Sequence, residues 1–281
     1  MLETIGHYKV LDRIGTGAIG DLFRARDTRL GRTVALRVVS NEIAADGERR
    51  ARFLSDAKAA AALSHPNIAT LYEVNEDQGL VYLALEFVPG ESLARVIGGR
   101  GLNARRAIDY AIQIADALAE AHAVGITHGD LTPANIVITP KGTVKILELG
   151  LASWTRSGRL RGDHDDIFWL GTAIFEMITG ERFDNHRPTG LRPISVGREV
   201  PRELDPIVAR MVTKDTDAEC ESPATVAAEL RALAETLDVR STTVRRPYPA
   251  PPQRQRRSGL WWFVLLAIVA AAAIAWIVNR P

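Results

Sequence analysis

One segment, His128–Asn135 (HGDLTPAN), constrains the fold of this chain more than any other. Asp130 stands two residues after His128, and Asn135 stands five residues after Asp130. A carboxylate and an amide at this spacing on one loop can orient a hydroxyl nucleophile and hold a magnesium ion. Thirteen residues further on, Glu148 follows a strand-like run and offers a second carboxylate for a metal. The two segments together predict a loop-built catalytic site between short strands.

A glycine-rich segment near the N-terminus supplies a second element of this site. Gly15, Gly17 and Gly20 form a G-x-G-x-x-G pattern, in which backbone amides can approach a phosphate because no Cβ intervenes. In a dinucleotide-binding fold this pattern must open a helix. Here strand-like sequence follows, and a further strand at residues 33–37 comes next. The pattern therefore favours a β-hairpin that covers ATP.

The character of residues 1–238 changes near Val88. Before it, short runs rich in β-branched residues predict strands, with one alanine-rich helix at Glu48–Leu63. After it, Ala104–Val124 is amphipathic with a period near 3.6, and Asp166–Thr179 is apolar enough for a central helix. The sequence predicts a small β-rich lobe at about 1–88 and a larger helical lobe at about 89–238.

The C-terminal part has a different composition. Residues 239–258 are rich in proline and arginine and predict an extended linker. Within residues 259–278, the uncharged run Leu260–Val278 would span roughly 28 Å as a helix, close to the hydrocarbon thickness of a bilayer. The arginines of the linker predict that residues 1–258 are cytoplasmic and that residues 279–281 form a short external tail. We therefore expect a single-pass protein of the cell membrane.

Charge and cysteine content exclude two other classes. The formal net charge is +1, so net charge gives no reason to expect binding to a nucleic acid. Cys220 is the single cysteine, which excludes an internal disulfide framework and a cysteine-based zinc cluster.

With these motifs in order, residues 7–236 resemble the bacterial serine/threonine protein kinases. The resemblance implies an α+β, two-lobed protein-kinase-like fold, here joined to one C-terminal transmembrane helix. It implies ATP and Mg²⁺ as cofactors and places Leu85 at the gatekeeper position. By this resemblance, the catalytic candidates are Asp130, Asn135 and Arg37, and the metal ligands are Asn135 and Glu148. The nucleotide-binding candidates are Gly15, Gly17, Gly20, Arg37, Glu86 and Val88.

Arg37 is the first departure from the family pattern. The family has a lysine at this position of the third strand, and it pairs with phosphates and with a glutamate on the N-lobe helix. That glutamate aligns with Asp56, so a long arginine and a short aspartate are expected to replace the usual pair. Arginine is planar and forked, and the replacement is not conservative at a phosphate site.

Further departures lie in the loops. Gly129 replaces the arginine of H-R-D, Thr132 replaces a lysine near the transferred phosphoryl group, and Glu148 replaces the metal-binding aspartate of D-F-G. Only 18 positions separate Glu148 from Asp166, with no A-P-E motif among them. Glu219 stands where the family has the arginine that pairs with that motif's glutamate.

These departures lead to a main expectation and an alternative. The main expectation is a membrane-anchored pseudokinase or severely impaired kinase that acts in signalling by binding a protein partner, such as an active kinase. The alternative is an active serine/threonine kinase that uses Asp130 as its base. A small-molecule phosphotransferase stays a minor form of that alternative, because HGDLTPAN is similar to the H-G-D loop of aminoglycoside and choline phosphotransferases.

Overall fold

The computed structural model describes residues 3–17, 19–129, 131–151, 163–183, 194–195, 200–213, 222–244 and 260–278. Its backbone forms two compact units, Met1–Val239 and Arg240–Pro281.

An antiparallel sheet of six strands forms the N-terminal lobe, in the order β1-β2-β3-β4-β6-β5. The strands are β1 (Thr4–Ile5), β2 (Tyr8–Gly17), β3 (Gly20–Asp27), β4 (Thr33–Val39), β5 (Leu71–Asp77) and β6 (Leu80–Glu86). The glycine-rich segment lies at the end of the β2–β3 hairpin, where Gly17 faces Gly20. The predicted hairpin is therefore confirmed, and β4 brings Arg37 next to its second strand.

Two helices accompany this sheet, the short α1 (Asn41–Ala44) and the longer α2 (Gly47–Ala61). The carboxylate of Asp46 caps α2 by accepting a hydrogen bond from the Arg49 amide at 3.0 Å. Phe53 and Ala57 of α2 are fully buried in the apolar cluster that the helix shares with the sheet. This packing positions the helix that carries Asp56.

The C-terminal lobe is mainly helical. Its helices are α3 (Leu93–Ile97), α4 (Ala104–Ala123), α5 (Asp163–Thr179), α6 (Leu204–Val212) and α7 (Pro223–Val244). A small antiparallel sheet of β7 (Glu91–Ser92), β8 (Ile136–Ile138) and β9 (Val144–Ile146) lies beside a 3₁₀ turn at Pro133–Asn135. These strands flank the loops of the candidate site.

The core of this lobe follows from helical periodicity. On α4, Ile108, Ala111, Ala115 and Leu118 repeat at intervals of three and four residues and are fully buried. They pack in one cluster with Leu170 and Ile174 of α5. The predicted amphipathic helix is confirmed over Ala104–Ala123, and the central helix begins at Asp163 rather than at Asp166.

The second unit contains α8 (Leu260–Val278). Within the described part of the chain, a search for membrane spans finds no helix with the length and apolar character that a crossing requires. The described side chains of α8 are exposed, among them Leu266, Val269 and Trp276.

We predict that a fragment of residues 1–240 folds by itself. Leu233 and Ala234 of α7 are buried in the core of the larger lobe, and Leu237 packs against them, so the cut falls beyond the last of these contacts. Urea denaturation of the fragment, followed by circular dichroism and by tryptophan fluorescence, should give one cooperative transition. A fragment without a cooperative transition would show that the boundary is misplaced.

Candidate active site

The buried carboxylate of Asp166, on α5, holds the loop that carries the H-x-D pattern. Its Oδ2 accepts a hydrogen bond from the His128 amide at 2.7 Å, and its Oδ1 accepts one from the Gly129 amide at 2.8 Å. His122, in the last turn of α4, places Nε2 2.8 Å from Oδ2. One side chain thus joins α4, α5 and the loop.

The hydrogen bonds lower the pKa of the Asp166 carboxyl below its usual range. Burial is the largest single influence and raises this pKa, because it disfavours the charged form. The hydrogen bond with His122, the charge of His128 and the two backbone amides together outweigh it. The carboxylate therefore stabilises the fold above the ordinary aspartate pKa, and this contribution is lost as the pH falls through the folded-state pKa.

The same loop is tied to the segment that precedes Glu148. The ring of His128 is buried, and its Nε2 lies 3.1 Å from the Leu147 carbonyl oxygen. The Leu147 amide donates to the Asn135 carbonyl at 2.8 Å. The structure thus places Asn135 beside the segment that precedes Glu148. Asp130, the candidate base, lies outside the described residues.

Of the three glycines of the hairpin, Gly20 is the one that sterics require. A Cβ at Gly20 would lie 1.8 Å from the Val38 carbonyl oxygen, and the residue has φ +144°. At Gly17 a Cβ would lie 3.6 Å from Nη1 of Arg37, an ordinary contact, and Gly15 is comparably open. The turn itself therefore does not require glycine at Gly15 or Gly17. The absence of a side chain at these two positions leaves the backbone uncovered, which a phosphate-binding role would require.

Arg37 lies beneath this hairpin and is largely buried, with 8% of its surface exposed. Its Nη1 donates to the Gly20 carbonyl oxygen at 2.9 Å, and its Nη2 donates to Oε1 of Glu148. Its Nε is buried without a hydrogen-bond partner in the described structure. Burial lowers the pKa of the guanidinium to about 10, against the attraction of Asp21. The side chain stays charged at neutral pH.

The expected pair between Arg37 and Asp56 is wrong for this structure, because Glu148 takes the place of Asp56 as the partner of Arg37. The physical reason is the length of the two side chains. The guanidinium of Arg37 extends past the position expected for a lysine ammonium, and Glu148 is one methylene longer than aspartate. The two side chains therefore meet across the cleft, between strand β4 and the loop after β9.

The backbone at Glu148 has an uncommon conformation. Glu148 has φ +55°, in the left-handed region that few residues other than glycine adopt. The Leu151 amide donates to the Glu148 carbonyl at 3.0 Å and closes a tight turn. Gly150 has φ +75°, and a Cβ there would come within 3.3 Å of Ala60. This turn directs the carboxylate of Glu148 toward Arg37.

An ion pair that the sequence did not reveal lies beside the connection between the lobes. Lys145 of β9 donates to Oε2 of Glu86 at 2.8 Å and to the Ile68 carbonyl at 3.2 Å. Glu86 also accepts from the Thr70 amide at 3.2 Å. The scarcity of lysines in the chain could have drawn attention to Lys145, but no local pattern identifies its partner.

The site fits a nucleotide better than a magnesium ion. Phosphates suit the open glycines and the buried cation of Arg37. A base suits the Val88 amide and carbonyl, which make no hydrogen bond among the described residues. No cluster of three His, Cys, Asp or Glu side chains able to hold a metal occurs in the described ranges. The carboxylate of Glu148 is already paired with a guanidinium, and this arrangement does not fit a magnesium ion at Glu148.

Comparison with known proteins agrees with this geometry. The protein kinase domain family matches residues 8–164, more than half of the 281 residues. The serine/threonine-protein kinase PknA of Mycobacterium tuberculosis is 36% identical over 205 residues, which cover 63% of this chain and 48% of the relative. PrkC of Bacillus subtilis is 29% identical over 244 residues, covering 75% of this chain and 38% of that kinase.

Among solved structures, the kinase domain of PknI from Mycobacterium tuberculosis superposes with a TM-score of 0.70 at 23% identity, covering 83% of this chain and 99% of that domain. This likeness supports the fold alone. The chain belongs to the protein kinase domain family. It spans about half or less of the length of the curated relatives it matches.

We predict that Asp166→Asn destabilises the fold by roughly 2–4 kcal/mol, because hydrogen bonds to a buried charge contribute more than neutral ones. Urea denaturation at neutral pH measures the loss. Asp116→Asn is the matched control, because Asp116 pairs with Arg231 at the surface, and it should cost less than about 1 kcal/mol.

The pH dependence of this difference supplies a second measurement. The stability gap between wild type and Asp166→Asn should begin to narrow as the pH falls below about 4, the ordinary aspartate pKa, and should close as the pH falls through the lowered folded-state pKa of Asp166. A gap that stays constant down to acid pH would contradict the role assigned to the charge of Asp166.

Proposed function

We propose that this protein binds a nucleotide in its kinase-like cleft but transfers phosphate slowly or not at all, and that it acts in signalling through a protein partner such as an active kinase. The pairing of Arg37 with Glu148 is the observation that carries this proposal. It pairs Arg37, where the family has its phosphate-binding lysine, with Glu148, where the family has its metal-binding aspartate. Neither group is then disposed as phosphoryl transfer requires.

Two loop residues support the same conclusion. Thr132 supplies no charge near the transferred phosphoryl group, and Gly129, with φ +77°, supplies no cation to recognise a phosphorylated segment. The short stretch between Glu148 and Asp166 leaves little chain for a peptide-binding platform. Residues 152–162 of that stretch lie outside the described structure, as does Glu219. A partner that docks elsewhere would not need this platform.

An active kinase is the second candidate, and the bracing of the catalytic loop favours it. The hydrogen bonds from the His128 and Gly129 amides to Asp166 hold this loop firmly on the core of the larger lobe. Asp130, one residue further along, would act as the base that accepts the proton of the substrate hydroxyl.

We also propose that α8 anchors the chain in the cell membrane, with the kinase-like unit in the cytoplasm. Two observations on α8 support this proposal. Leu260–Val278 is a 19-residue helix without a charged residue, and its described side chains are exposed. An apolar helix with exposed side chains is stable only when an apolar environment covers it.

The first test measures phosphate transfer by the full chain to itself and to a general protein substrate, with the PknA kinase domain as reference. We expect at least about a hundredfold less transfer than the reference, because a displacement of about 1 Å at the reacting groups has that effect. Asp130→Asn should leave any residual signal unchanged. Robust autophosphorylation that Asp130→Asn abolishes would establish the active-kinase alternative instead.

Back-substitution extends this test. Arg37→Lys alone should give no gain, because Asp56 is one methylene too short to hold the lysine and Glu148 stays in place. Arg37→Lys combined with Asp56→Glu and Glu148→Asp should recover measurable autophosphorylation, since such residues act as a unit. A strong gain from Arg37→Lys alone would show that the remaining site is intact.

The membrane proposal predicts the effect of charge on α8. Arginine at both Leu266 and Val269 should move the chain from the membrane pellet to the supernatant, since each charge costs about 3 kcal/mol near the centre of a span. Leu30→Arg is the control, because Leu30 is an exposed residue of the first unit, and it should leave the distribution unchanged. Membrane association that survives both α8 substitutions would rule out this helix as the anchor.

A further inference from the structure

The guanidinium of Arg37 pairs with the carboxylate of Glu148, which the family resemblance places among the metal ligands. In phosphate sites a carboxylate commonly serves to hold magnesium, which in turn neutralises the phosphate oxygens. Here Nη2 of Arg37 donates to Oε1 of Glu148, and the glutamate is mostly buried, with 19% of its side chain exposed. The charge of the carboxylate is therefore balanced by the protein itself.

The same guanidinium keeps a donor for a ligand. Nη1 is held by the Gly20 carbonyl at 2.9 Å, while Nε is buried and has no partner in the described structure. A buried N–H without an acceptor is unfavourable, and an oxygen atom of an incoming anion would satisfy it. Gly17 lies beside the same guanidinium and carries no side chain, and a Cβ there would lie 3.6 Å from Nη1. The ligand this donor fits is an oxyanion such as a phosphate.

Admitting a magnesium ion at Glu148 would require this pair to separate. The ion needs a free carboxylate and near-octahedral oxygen ligands. Separation would break a charge-assisted pair at a mostly buried position, and the magnesium ion would have to lose part of its hydration shell to replace the guanidinium there. The guanidinium of Arg37 also cannot become neutral by losing its proton at neutral pH. The intact pair is therefore the more stable arrangement when a nucleotide enters.

We propose that the cleft binds a nucleoside di- or triphosphate without a divalent cation, with Arg37 contacting the phosphates and Glu148 fixing the guanidinium in place. This inference rests on the nucleotide binding proposed above. It makes the Arg37–Glu148 pair the functional replacement for the metal ion and assigns Glu148 as a positioning residue that acts through Arg37.

The experiment measures the affinity of the full chain, purified in mild detergent, for ADP and for a non-hydrolysable ATP analogue by calorimetry. Each titration is made once with EDTA and once with MgCl₂. We expect the two dissociation constants to agree within about threefold, which corresponds to a small difference in binding free energy. An affinity more than about tenfold higher with MgCl₂ would overturn the metal-independent mode while leaving nucleotide binding itself established.

Variants identify the side chains that contact the nucleotide. Arg37→Gln removes the cation and frees Glu148, so binding in EDTA should weaken at least about tenfold, and MgCl₂ should restore part of it. Arg24→Gln removes an exposed arginine that pairs with Asp12 on the same sheet, and it should change either constant by less than about threefold. Thermal unfolding of each variant checks that it is folded.

Glu148→Gln gives an independent answer even where Arg37→Gln is unstable. Loss of the carboxylate that fixes Arg37 should weaken binding in EDTA, but by less than Arg37→Gln does, because the guanidinium remains while its orientation is no longer held. Unchanged or tighter binding in Glu148→Gln would contradict the assignment of Glu148 as a positioning residue. Absence of binding by the wild type in both buffers would reject the proposed function, and this inference with it.

Discussion

The buried carboxylate of Asp166 is the interaction on which the geometry of the cleft depends. The loop that carries His128 and Gly129 turns with two backbone amides directed inward, and buried amides need acceptors. Asp166 supplies both acceptors from a helix whose other face is packed in the core. The loop is thereby positioned by the interior of the larger lobe rather than by any bound substrate.

This explains how the loop keeps its form although Gly129 and Thr132 depart from the family pattern. Asp166, His122 and His128 stabilise the fold whether or not a reaction occurs. Their presence therefore says little about turnover. The groups that distinguish an active from an inactive site are Arg37 and Glu148, which contact each other across the cleft.

Much of the fold could be predicted from the sequence, because its signals are local. The hairpin at Gly15–Gly20 follows from glycine spacing between strand-like runs, and α4 follows from the period of its apolar residues. Both lobes were predicted in the right order. The start of α5 was placed at Asp166, since sequence periodicity identifies a helix better than its first turn.

The side-chain partners could not be predicted in the same way. Counting along the sequence aligned Asp56 with the expected partner of Arg37, but the contact depends on how far each side chain reaches in three dimensions. Glu148 is 111 residues away from Arg37 in the chain. Its left-handed backbone conformation, which sets the direction of its carboxylate, is likewise not encoded by a local pattern. The pair of Lys145 and Glu86 was missed for the same reason.

That second pair has a mechanical consequence. Glu86 is the last residue of β6, in the N-terminal lobe, whereas Lys145 belongs to β9 of the C-terminal lobe. The ammonium group also holds the Ile68 carbonyl, so three chain segments meet at one point beside the connection between the lobes. Rotation of one lobe against the other must pivot at this point or break the contacts there.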